Sequence, residues 1–181
     1  MINLSKDKIE FLKLVLGSSI VEVSSPSIDI DINGDIESIT MAVNIKLKES
    51  ILKNVSIVCD QKIGFYDLES GNVIYDYDIL KNNVGYKESI PINCGPVNKI
   101  MVFGRKISVE DKKELIGMDK IKFDGKIETN DVFLFQSTKN DNILFVLDDF
   151  FPSFTVYHSK KGIDLFWKRK NDIYKLKHVI E

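Results

Sequence analysis

Apolar and polar residues alternate with a period of two over most of the chain, which is the pattern of strands with one buried face. Turn signals such as Asn33-Gly34 and Asp124-Gly125 separate the alternating runs. Connections this short join antiparallel strands, because a parallel crossover needs about a dozen residues or more. The pattern therefore predicts mainly antiparallel β structure.

Two segments instead have the period of a helix. Near the N-terminus, Ser5 stands at an N-cap position and an apolar stripe runs from Ile9 to Leu16. A shorter helix is predicted over 109–116, with Ser108 as its N-cap. We expect a mainly β (α+β) fold, built as an antiparallel sandwich or a strongly curved sheet with an N-terminal helix and one short mid-chain helix.

The last third of the chain continues the strand pattern. The run from Ile143 to Leu147 is apolar at every position, which predicts a central strand covered on both faces. Three further strands are predicted at 154–158, 163–167 and 173–177, and Lys161-Gly162 is predicted as a turn between two of them.

Length and composition set the class of protein. A chain of 181 residues with 44% hydrophobic and 29% charged residues is typical of one soluble globular domain. We predict a single domain over 1–181, or alternatively two sheet lobes, 1–107 and 118–181, joined by the helix at 109–116. The chain has no apolar run of about 18 residues and no basic leader, so we expect a cytoplasmic protein that does not enter a membrane.

The segment from Asp29 to Thr40 resembles an EF-hand calcium loop at its first, third and fifth positions and at the central Gly34. It departs at the twelfth position, where Thr40 replaces the bidentate glutamate. The flanking residues alternate as strands and favour a β-hairpin, in which Asp29 and Asp31 alternate with inward isoleucines. We therefore predict no metal and no cofactor.

Residues for catalysis are few. His158 and His178 are the only histidines and have no metal-ligand spacing. The chain contains no nucleophile elbow, phosphate-binding glycine loop or paired cysteines. We predict a protein that is not an enzyme, and keep a histidine-dependent enzyme or a small-molecule-binding β-barrel as alternatives.

Charge is distributed unevenly along the chain. Residues 1–90 hold 14 acidic and 9 basic residues, a net charge of −5, whereas residues 91–181 have a net charge of +3. The acids concentrate in two predicted hairpins, and tyrosines accompany them in the second. The predicted partner-binding residues are Asp29, Asp31, Asp35 and Glu37 in the first hairpin, and Asp67, Glu69, Tyr75, Asp76, Tyr77 and Asp78 in the second.

An acidic face speeds encounter with a basic partner, and tyrosines are frequent anchors at interfaces. We therefore expect a cytoplasmic, non-catalytic binding protein that occludes a basic protein. The specific hypothesis is an immunity protein that inhibits a nuclease-type toxin domain of a bacterial toxin system.

A rival hypothesis concerns the C-terminal strands. Residues 158–178 hold seven basic residues with aromatic residues between them, a composition that suits single-stranded nucleic acid. Only two of the basic residues of the chain are arginines, Arg105 and Arg169, and the isoelectric point is about 5.8. Nucleic acid is therefore the less favoured partner.

Overall fold

A computed structural model describes residues 4–30, 35–38, 42–67, 73–81, 86–108, 115–116, 126–147 and 154–181. The elements, in chain order, are α1 (Lys6–Lys13), β1 (Ser19–Ser25), β2 (Asp29–Ile30), β3 (Ile36–Ser38), β4 (Ala42–Lys48), β5 (Asn54–Asp67), β6 (Val73–Lys81), β7 (Glu88–Gly104), β8 (Lys106–Ser108), β9 (Leu115–Ile116), β10 (Lys126–Glu128), β11 (Val132–Ser137), β12 (Ile143–Leu147), β13 (Phe154–Tyr157), α2 (Lys160–Lys170) and β14 (Lys175–Ile180).

The main sheet is antiparallel throughout its described pairings. Its strand order is β2-β3-β13-β12-β11-β7-β1-β4-β5-β6, with β14 added beside β7 and β9 beside β5. The sheet is open, since its described terminal strands β2 and β6 are not paired with each other. The predicted mainly β, antiparallel fold with an N-terminal helix is thus confirmed.

The long strand β7 connects the two halves of the sheet. Its first part pairs with β1 and its second part with β11 and β14. Pro91 and Pro96 lie within this strand, although proline has no N–H to donate to a strand pairing. Shifts of register around Ile20 in the facing strand let β7 continue past both prolines.

The main hydrophobic core lies inside the curve of the sheet. Ile45 and Ile57 from one half pack in the same cluster as Phe133 and Phe145 from the other half. Leu12 of α1 is fully buried in this cluster. Residues from distant strands can share one core only if the sheet curves strongly, as the sequence predicted.

A second, smaller core lies on the outer face of the sheet. Leu144 and Val146 of β12 pack there with Ile163 and Phe166 of α2. Because α2 covers this face and the main core covers the other, β12 is buried at all five positions. The prediction of a central strand at 143–147 is confirmed.

Two predicted elements are wrong. The segment 160–170 is a helix, although a turn at Lys161-Gly162 and a strand at 163–167 were expected. Leu115 and Ile116, the end of the expected mid-chain helix, form β9 instead, while 109–114 lie outside the described residues. The choice between one domain and two lobes stays a prediction. Among the described residues, no helix is long and apolar enough to cross a membrane.

Candidate partner-binding site

The two acidic hairpins lie at opposite ends of the sheet order. The first is formed by β2 and β3, and the second by β5 and β6. Strands β13, β12, β11, β7, β1 and β4 separate them. The predicted residues therefore divide into two groups that are not neighbours in the sheet.

The first hairpin pairs Asp29 with Glu37 and Ile30 with Ile36, which confirms the hairpin interpretation of this segment. Asp29 is exposed. Ile30 is also 60% exposed, so the expectation that the isoleucines of this strand point inward is wrong for Ile30. Asp31 lies outside the described residues.

Asp35, the third acid of this hairpin, is only 2% exposed. Its Oδ1 accepts hydrogen bonds from the backbone N–H groups of His158 (2.9 Å) and Ser159 (3.0 Å). Its Oδ2 accepts a hydrogen bond from the hydroxyl of Ser159 at 2.9 Å. The carboxylate is thus directed into the fold and does not extend the acidic surface offered to a partner.

The Asp35 contact also explains where α2 begins. Ser159 is the N-cap, and its Oγ accepts a hydrogen bond from the N–H of Gly162 at 2.9 Å. A Cβ on residue 162 would lie 2.0 Å from Oδ2 of Asp35. Glycine is therefore needed at this position so that the carboxylate can reach the helix N-terminus, where a negative charge is favourable.

The second hairpin gathers its aspartates on one face. Asp60 is the cross-strand partner of Asp76, and Asp78 lies two positions farther along β6. After a shift of register in β5, Phe65 pairs with Ile74, which shares a face with Asp76. Asp67 lies two positions after Phe65 in the same strand, so it belongs to this face as well. We call Asp60, Asp67, Asp76 and Asp78 the acidic edge face, because β6 is the terminal strand of the sheet.

Asp60 was missed by the sequence analysis, since nothing in the local sequence reveals that it pairs with Asp76. Glu69, by contrast, was predicted but lies outside the described residues. None of the paired positions on this face of the hairpin is a lysine or arginine. The pairing register therefore brings four aspartates to one face of the hairpin.

Tyr75 and Tyr77 belong to the opposite face of β6, because side chains alternate along a strand. Tyr77 pairs with Cys59, and two positions away Ile79 pairs with the fully buried Ile57 of the main core. The two tyrosines thus do not share a face with the aspartates.

The aromatic residues of the C-terminal region pack inward. Phe166 and Tyr174 are buried, and the Trp167 ring lies 4.6 Å from that of Phe103. The basic residues Lys168 and Arg169 remain exposed on α2. The packing reduces the aromatic surface that is free to stack with bases, whereas Tyr157 and Trp167 stay partly exposed.

The two histidines do not line the same cleft. His158 lies between β13 and α2 and lines a polar cleft, whereas His178 belongs to β14 and does not line it. The described residues contain no group of three or more potential ligands placed to hold a metal ion.

Comparisons of the chain with protein-family models, with curated proteins and with solved structures gave no match. Function is therefore inferred from the geometry of the chain's own residues.

Proposed function

We propose that the protein is a non-catalytic binding protein whose acidic edge face docks a basic protein. In its specific form, the proposal is a cytoplasmic immunity protein that occludes a nuclease-type toxin domain of a bacterial toxin system. The observation that carries it is the register of β5 and β6, which collects four aspartates on one face of the terminal hairpin.

This register is unfavourable for the isolated protein. Like charges directly opposite each other across a strand pair are destabilising, and Asp60 stands opposite Asp76. Lysines and arginines of a partner would remove this repulsion and gain attraction at the same time. Attraction between surface charges weakens as salt rises, and it acts mainly on the association rate.

The position at the end of the sheet also suits docking. A partner that docks at the edge of β6 can contact Asp76 and Asp78. Tyr75 and Tyr77, on the face that also carries the core residue Ile57, are not needed for this mode. The first hairpin is not needed for this mode, because it belongs to the other end of the sheet.

An affinity capture with tagged protein from native lysate tests the proposal. The wild-type protein should retain a basic protein at low salt and release it at high salt, and the retained protein should regain a nuclease activity on release. The variant D76K/D78K should bind at least about tenfold more weakly, a loss of the size produced when a charge pair at an interface is removed.

The matched control is D29K/D172K, which reverses two exposed aspartates elsewhere and changes the net charge equally. It should bind as the wild type does. Equal losses in both variants would mean that only net charge matters, and unchanged binding in D76K/D78K would exclude the acidic edge face.

A further inference from the structure

A polar cleft of about 430 Å³ lies at the start of α2, away from the acidic edge face. Its walls come from β7, from the turn between β11 and β12, and from the N-terminal turn of α2. Clefts of roughly 300 to 1,000 Å³ are the usual size of sites for small molecules. The lining residues are Asn93, Asn140, Asp141, Asn142, His158, Lys160, Ile163 and Asp164.

The walls of the cleft are held in place by hydrogen bonds within the protein. In the β11–β12 turn, the buried Oγ of Ser137 accepts bonds from the N–H groups of Lys139 and Asp141, both at 3.1 Å. Oδ1 of Asn142 accepts a bond from the N–H of Ser137 at 3.3 Å. On the other side, the Asp35 contact fixes the first turn of α2. The backbone of these walls is therefore fixed without a ligand, while exposed side chains such as Asn93 and Asp164 can adjust to one.

Four side chains at the cleft have no hydrogen bond or ion pair within the described structure, namely those of Asn93, Asn140, Lys160 and Asp164. An amide both donates and accepts, a carboxylate accepts, and an ammonium group donates. Together they complement hydroxyl groups, which also donate and accept.

The charges of the lining exclude strongly charged ligands. The lining holds the acidic residues Asp141 and Asp164 and the basic residues Lys160 and His158, so neither a polyanion nor a polycation is favoured. Ile163, which is 8% exposed, leaves a small apolar patch in the cleft, against which the C–H groups of a ring or chain can pack. A sugar combines hydroxyl groups with such an apolar face.

We infer that this cleft binds a neutral, hydroxyl-rich small molecule of the saccharide or polyol class. The inference does not rest on the proposed function, since it uses a different part of the surface. The residues come from three separated segments of the chain, so no local sequence motif reveals the site.

Titrations followed by amide NMR on the full-length protein test the inference. The probes are glucose, N-acetylglucosamine, maltose and glycerol, with inorganic phosphate and spermidine as charged comparisons. At least one hydroxyl-rich probe should cause saturable shifts at residues 140–142 and 158–164. The charged probes should cause none there.

Variants then locate the site. D164A should weaken binding about tenfold, and N93A several-fold, because each removes hydrogen bonds to the ligand. N98A on the same strand and D172A beyond the end of α2 are exposed controls that should bind as the wild type does. Absence of saturable shifts with all four probes, preferred binding of phosphate or spermidine, or an unchanged D164A would each overturn the inference.

Discussion

Replacing Asp35 with alanine tests the account of how the first hairpin and α2 are joined. The substitution removes three hydrogen bonds, to the N–H of His158 and to the N–H and hydroxyl of Ser159. Each hydrogen bond to a charged group contributes about 1.5–3 kcal/mol, but neighbouring bonds are not additive. Because the buried Asp35 carboxylate is lost and two partly buried N–H groups lose their acceptor, we expect a total loss of about 3–5 kcal/mol in the free energy of unfolding.

The assay is denaturant unfolding followed by tryptophan fluorescence and by far-UV circular dichroism. Trp167 is the only tryptophan and belongs to α2, so its fluorescence reports on the helix that Asp35 holds. For a chain of this length, the expected loss corresponds to a fall of about 10 °C in Tm. The control is Asp29→Ala, an exposed acid of the same hairpin, which should change the free energy by less than about 0.5 kcal/mol.

Gly162 supplies the decisive second variant. In an ordinary helix, Gly→Ala stabilises by about 0.5–1 kcal/mol. Here the new Cβ would meet Oδ2 of Asp35, so Gly162→Ala should destabilise by about 1–3 kcal/mol. In the Asp35→Ala background the same change should destabilise less, because only the Oγ of Ser159, at 2.9 Å, remains close to the new Cβ. The account is refuted if Asp35→Ala behaves like Asp29→Ala, or if the effect of Gly162→Ala is the same in both backgrounds.

The remaining predictions concern other buried positions. Burial, together with the negative charge of Asp141, raises the pKa of Cys94 from 9.0 to about 11, so alkylation of this thiol followed by peptide mass spectrometry should be slow until the protein unfolds. Because the folded-state pKa is the higher one, the contribution of Cys94 to stability should be full below pH 9.0 and should be lost as pH rises towards 11, which unfolding curves at alkaline pH would reveal. Arg105→Met removes the cation that lies 2.7 Å from the buried Asp131 and should lower the free energy of unfolding by about 3–5 kcal/mol, whereas the double variant with Asp131→Leu should recover most of that loss in a denaturation series. Gly104→Ala would place a Cβ 1.7 Å from the backbone oxygen of residue 129, so its melting temperature should fall more than that of Gly162→Ala, and an equal or higher value would contradict the close approach.

The strands were predictable because their signal is local. The run from Ile143 to Leu147 is apolar at each position, and this alone indicates a strand covered on both faces. Ser5 likewise marks the start of α1, and its Oγ accepts the N–H of Lys8 as an N-cap should. In these cases the residue that specifies the structure lies within the element that it specifies.

The misassigned helix shows where local signals fail. Gly162 predicted a turn, but it is required by Asp35, whose hydrogen-bond partner His158 is 123 residues away in the sequence. Ser159, Ile163 and Phe166 do have the spacing of an N-cap and a helical stripe, so the signal for α2 was present but was outweighed by the glycine. A contact between residues so far apart in the sequence cannot be derived from one sequence without the fold.

The candidate site was predictable only in part. Asp67, Asp76 and Asp78 stood out as a local concentration of charge. Whether they share a face with Asp60 depends on the register of the two strands, including a shift between Asp60 and Phe65, which composition does not encode. The separation of the two acidic hairpins is likewise a property of strand order.

Hydrogen exchange of the purified complex with its captured basic partner tests the central claim most directly. Peptides from 54–67 and 73–81 should gain protection on binding, while peptides that cover β2 and β3 should exchange as in the free protein. Protection of 29–38, or of the basic helix α2, with unchanged exchange in β5 and β6 would contradict the claim that the acidic edge face is the binding surface.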